Sequence, residues 1–168
     1  MKDNITVERI QLLHPLIREE VMNIYLNELV PALSSSTYCR FAYTLRTFQE
    51  QDELYTIGRT KLFDLNGRRL GIVTKAKGGQ SFHNYGLALD IVLIDGKSAF
   101  WDITRDFDDD SVPDWTEIVK IFEGHGWEWG NSWGDSPHFQ KTFGHTWEEL
   151  PEKHEQKLFI PGTTYVNI

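Results

Sequence analysis

The chain has 168 residues, 40% of them hydrophobic and 25% charged, enough apolar material for one buried core and too little for two comfortable ones. A formal charge of -8 excludes nucleic-acid binding through a basic footprint, because phosphate neutralisation needs clustered Lys and Arg and the longest basic stretch here is Lys75-Ala-Lys77. The single cysteine rules out an internal disulfide, and no run approaches the ~18 apolar residues of a membrane span. Cys39 lies in an apolar stretch and reads as a buried, inert thiol. The opening MKDNITVERI lacks the apolar centre and small-residue cleavage site of a secretory leader. The expectation is a chain made in the cytoplasm that reaches any outside target by another route.

Residues 5–33 place Ile10, Leu13, Ile17, Val21 and Ile24 on one helical face, with Pro15 breaking the run and a second helix beginning near His14. Residues 38–45 alternate Cys39, Phe41, Tyr43 and Leu45 against Arg40, Ala42 and Thr44, which predicts a strand. Thr47 and Glu50 stand in capping-box spacing and open a helix that should stop at Gly58. Residues 64–80 carry the turn signals Asn66-Gly67 and Gly78-Gly79 and predict a loop or hairpin. Residues 87–94 form an apolar run of strand length with Asp90 in its middle. A helix follows over 115–124, a short strand over 126–129, the turn-rich segment Asn131 to Pro137, and a short helix with an extended tail over 146–168. No internal repeat and no linker appear, so the expectation is one α+β domain, 1–168, with a small antiparallel sheet, flanking helices and no separate wall-binding domain.

Chemistry concentrates in two short stretches. In Ser81-Phe-His83-Asn-Tyr-Gly86-Leu-Ala88-Leu-Asp90 an ionised carboxylate inside an apolar strand would cost several kcal/mol unless paired or metal-bound, so Asp90 calls for a cation. A salt bridge would answer that call equally well. The second stretch, Trp133-Gly134-Asp135-Ser136-Pro137-His138-Phe139-Gln140, tips the balance. His83, Asp90 and His138 make two imidazoles and one carboxylate, the donor set of a catalytic zinc site with an open fourth position. Asp135 then has work as a general base, since a metal lowers the pKa of water and a free carboxylate beside it can move the proton. His14, His125, His145 and His154 have no ligand-spaced partners and read as structural or exposed, and Trp127, Trp129 and Trp133 read as core.

These residues resemble the zinc D-alanyl-D-alanine carboxypeptidases and L-alanyl-D-glutamate endopeptidases, which share a fold with the hedgehog signalling domain. The likeness rests on Ser81 to Asp90 and Asp135 to Phe139, and extends to Leu45-Arg46-Thr47, Gln51 and Gly58-Arg59-Thr60, so it covers residues 10–140. The subgroup it looks most like holds phage endolysins and bacterial wall endopeptidases. The resemblance implies a peptidoglycan stem peptide as substrate, with Arg46 and Gln51 lining the substrate side and Ser81 giving a polar contact beside the zinc. Arg46 suits that role physically, because amide hydrolysis develops an oxyanion that a fixed cation stabilises. It implies a monomeric hydrolase, most simply an L-alanyl-D-glutamate endopeptidase in host lysis. D-alanyl-D-alanine or D-alanyl-diaminopimelate cleavage and a non-enzymatic zinc-fold binding domain stay open.

A second metal is also expected. Asp106, Asp108, Asp110 and Glu117 reproduce positions 1, 3, 5 and 12 of a calcium loop, with Asp114 at position 9. Ser111 stands where that loop normally has Gly, and a solvated acidic loop is the competing reading.

Overall fold

The computed structural model describes residues 1–33 and 36–168, and among these described residues five short strands and six α-helices organise the fold. It separates into two compact units, one of residues 1–45 with 86–142 and one of residues 46–85 with 143–168.

The first unit opens with helices α1 (Asn4–Ile10) and α2 (Arg18–Ile24). Ile10, Leu13, Ile17, Val21 and Ile24 are all fully buried, as their helical period required. The break is longer than Pro15 alone suggested, and α2 starts at Arg18 rather than near His14. Asp3 caps α1 by accepting from the Thr6 N–H at 3.1 Å and also holds Arg40 at 3.0 Å. Residues Tyr25–Leu29 then widen into a π turn before the short helix α3 (Val30–Ala32). Pro31 accounts for it, because a proline has no N–H to return and its ring crowds the carbonyl four residues back.

The sheet runs β1 (Thr37–Tyr43), β2 (Ala88–Asp95), β5 (His138–Gln140), β4 (Glu128–Trp129), with β3 (Ser98–Phe100) also paired to β2 and every pairing antiparallel. Cys39 and Phe41 point inward as expected, but Tyr43 is 53% exposed and Leu45 is only half-buried. A register shift between Phe41 and Tyr43 is the reason: one extra residue reverses the alternation, so Thr44 and Arg46 turn inward in their place. Helix α5 (Asp114–Gly124) buries Trp115, Ile118, Val119 and Phe122. Phe122 packs on Phe139 at 4.8 Å between ring centroids, and Phe41 packs on Tyr25 at 5.8 Å. Cys39 is buried, and that burial pushes its thiol pKa up.

The second unit is built round helix α4 (Phe48–Thr56) and helix α6 (Glu149–Glu155). The capping box is present in both directions: Thr47 Oγ1 accepts from Glu50 N–H at 3.1 Å, and Glu50 Oε2 accepts from Thr47 N–H at 2.7 Å. Gly58 takes φ 76°, and a Cβ there would meet the Gly71 carbonyl carbon at 2.4 Å, so the turn after α4 admits glycine alone. Residues 57–80 form no regular element beyond isolated bridges such as Phe63 with Arg69. Phe48 lies 4.7 Å from the ring of His154, which gives that histidine a packing role. Among the described residues no helix is long and apolar enough to cross a membrane.

Candidate active site

Strand pairing brings the two motifs together. In the β2–β5 register Asp90 stands directly opposite His138, and the His138 Nδ1 lies 3.3 Å from Asp90 Oδ1. Leu89 and Ile91 are fully buried on either side, so Asp90 interrupts an apolar run and has in His138 a neighbour that can answer its charge. The other ring nitrogen of His138 is 3.1 Å from Gln140 Oε1. Burial by itself would lower the His138 pKa, but the Asp90 carboxylate outweighs it and leaves the imidazole more basic than usual.

His83 is carried by a single 3₁₀ turn, Phe82–Tyr85, and is buried. Ser81 caps that turn, its Oγ accepting from the His83 N–H at 3.3 Å. Asn84, a residue the motif contains but whose job the sequence did not reveal, locks the turn in place. Its Oδ1 accepts from Gly79 N–H at 3.0 Å and its Nδ2 donates to the Arg46 carbonyl at 3.0 Å. The His83 carbonyl in turn accepts from Arg46 N–H at 3.0 Å. The sequence could have shown only that an Asn beside the histidine has two donors and an acceptor to place.

His83, Asp90 and His138 each offer one ligand atom, and all three atoms lie within 4.8 Å of one another. Two imidazole nitrogens and a carboxylate oxygen suit zinc, which takes mixed N and O donors and has no fixed geometric demand of its own. The donor set therefore fits the metal that the motif implies.

Asp135 is exposed and sits at the end of the tight turn Gly130–Trp133, its carbonyl accepting from the His138 N–H at 3.1 Å. That turn depends on Gly130, where a Cβ would come within 2.4 Å of the Asp135 carbonyl oxygen. The Asp135 charge also acts on His138 and favours its protonated form. Trp127 is buried as expected, whereas Trp133 is half exposed with its ring 6.2 Å from that of His138.

Arg46 is 9% exposed, turned inward by the bulge in β1, and donates from Nη1 to Gln51 Oε1 at 2.8 Å. Gln51 is 1% exposed, and its Nε2 donates to the Ala76 carbonyl at 2.9 Å. The amide is therefore part of the support under Arg46, not a side chain on the helix surface. His125 pairs with Glu28 at 2.7 Å and His145 with Glu149 at 2.9 Å, which leaves both outside the metal group.

The acidic segment is also brought together. Asp106, Asp108 and Asp110 form one group of ligand atoms within 4.8 Å, and Asp108, Asp114 and Glu117 form another.

The family model of the D-alanyl-D-alanine carboxypeptidases matches residues 74–141, a stretch that holds both metal-binding motifs and Asp135. That stretch is similar to this peptidase family. The chain is 46% identical over 100 residues to the peptidoglycan L-alanyl-D-glutamate endopeptidase CwlK of Bacillus subtilis (strain 168), a match covering 56% of this chain and 55% of that protein. It thus spans about half the length of that relative. The crystal structure of the Serratia marcescens L-Ala D-Glu endopeptidase ChiX superposes with a TM-score of 0.53 at 21% identity, covering 83% of this chain and 87% of that one. The α+β fold with its small antiparallel sheet is therefore shared with that endopeptidase, as the motifs implied.

Proposed function

We propose that residues 1–168 act as one catalytic domain, a zinc-dependent peptidase that cuts the L-alanyl-D-glutamate bond of peptidoglycan stem peptides. The observation that carries the reading is the convergence of His83, Asp90 and His138 on one point, with Asp135 outside the ligand set. Zinc held by those three residues would supply Lewis-acid chemistry, polarising the scissile carbonyl and making water acidic. The rest belongs to the chain. Asp135, an exposed carboxylate outside the ligand set, would take the proton of the attacking water and hand it to the leaving amine. The Arg46 guanidinium, steadied by Gln51, supplies a cation for the oxyanion of the tetrahedral intermediate. Ser81 and Asn84 hold the His83 turn.

The choice of bond follows the 46% identity to CwlK over 100 residues. D-alanyl-D-alanine cleavage is the second reading, favoured by the description of the matching family. We place the protein in phage-driven host lysis as a monomer, synthesised in the cytoplasm and acting on the wall after release. Expressed inside a Gram-negative cell it should lyse that cell only when a pore-forming partner opens the inner membrane; lysis by the protein alone would contradict this placement.

Two variants separate metal binding from chemistry. Asp135→Asn should retain stoichiometric zinc and lose activity by about 10²–10⁴-fold, the usual weight of a general acid-base group. His83→Ala should lose zinc as well as activity. Metal content by atomic emission, read beside turnover on purified peptidoglycan, decides the matter: unchanged turnover in Asp135→Asn removes that residue from its role.

A further inference from the structure

The peptidase reading makes no use of the acidic segment that leads into α5, and its charges need an explanation of their own. Asp108 is shared by the two ligand groups, Asp106 with Asp110 on one side and Asp114 with Glu117 on the other. Clustered surface carboxylates are common without a ligand, so the grouping decides nothing alone. The deciding fact lies beneath the surface. Asp114 is 0% exposed; its Oδ2 accepts from the Phe107 N–H at 2.8 Å, while its Oδ1 has neither solvent nor any hydrogen-bond partner. Asp106 Oδ1 and Glu117 Oε2 are likewise shut off from water with no donor to meet them.

Carboxylate oxygens in that state cost several kcal/mol each unless a proton or a cation answers them. The two groups meet at Asp108, so a cation held there would draw on both. We propose that Asp106, Asp108, Asp110, Asp114 and Glu117 form a site for a hard divalent cation of the calcium type. The donors are all oxygen, which selects a hard ion over zinc, and their number and partial exposure suit the flexible, many-ligand shell of calcium better than the rigid octahedron of magnesium. Burial, followed by the charges of Asp110, Asp108, Asp114 and Asp106, pushes the Glu117 pKa up to about 7, and burial with the Asp108 charge raises that of Asp114. Ser111, at the position where a loop of this spacing turns on glycine, adopts φ 76°, so the backbone makes the left-handed turn although the residue resists it. The site is independent of the peptidase reading, since it shares no residue with His83, Asp90, His138 or Asp135.

The test is calorimetric titration of the zinc-loaded, EGTA-treated chain with calcium chloride, repeated on Asp108→Asn and Glu117→Gln. Asp108 is exposed, so its substitution leaves the fold intact. The expected result is saturable binding of one calcium tighter than ~10 mM, weakened at least ~10-fold in each variant, with zinc content unchanged. The melting temperature of the unsubstituted chain should rise with calcium. Absence of heat and of any thermal shift at ~10 mM calcium, or binding that both variants retain in full, overturns the proposal.

Discussion

Among the described residues, the His83, Asp90 and His138 group and the acidic segment before α5 meet the cost of gathering charge in opposite ways. The His83, Asp90 and His138 group mixes one carboxylate with two imidazoles, and Asp90 has a partner at 3.3 Å in His138. The acidic segment holds carboxylates only, and each further ionisation there is opposed by the last. In the first group Asp90 and His138 are thus held on paired strands, and His83 on a capped turn. The second is poised for an ion from outside. A catalytic metal needs a site whose shape survives turnover, whereas a metal that orders a loop can itself complete the structure.

The comparison can be broken at either end. Within that comparison, the larger effect is expected where the support under Arg46 is removed without touching a ligand. Gln51→Ala takes away the 2.8 Å partner of Arg46 and should lower kcat by about 10- to 100-fold while zinc content and KM stay nearly unchanged. Steady-state kinetics on a soluble stem peptide would measure it, and a rise in KM with kcat intact would show that Gln51 serves uniform substrate binding instead. A smaller effect is expected from pH at the acidic segment. Glu117 holds its proton up to about 7 in the folded chain against 4.5 as its ordinary value. Between those values the folded chain binds more protons than the unfolded chain, so stability without divalent cations should fall as pH rises from 4.5 toward about 7. Thermal unfolding across that range, with EGTA and then with calcium, should show the slope and its flattening; equal slopes in both would dissolve the contrast between the two groups.

Much of the site was legible because its signals are short. Ser81 to Asp90 and Asp135 to Phe139 each span only one turn and the strand that follows it, and a carboxylate in an apolar run announces a cation whatever lies around it. The capping box at Thr47 and Glu50 and the helical face from Ile10 to Ile24 were readable for the same reason. What escaped were the non-local features. The pairing of Asp90 with His138 spans 48 residues and depends on strand register, and β5 is too short to show a period. The bulge after Phe41, which turns Tyr43 out and Arg46 in, leaves no mark in an alternating pattern. Asn84 was hidden because its hydrogen bonds go to backbone brought near by folding.

The central claim is that this chain is a zinc peptidase of peptidoglycan stems, and mass spectrometry of purified peptidoglycan digested by the protein tests it most directly. New fragments ending in L-alanine and beginning with D-glutamate, lost with chelator and restored by zinc, are the predicted result. Intact stems from a zinc-loaded protein would contradict it and assign the fold a binding role.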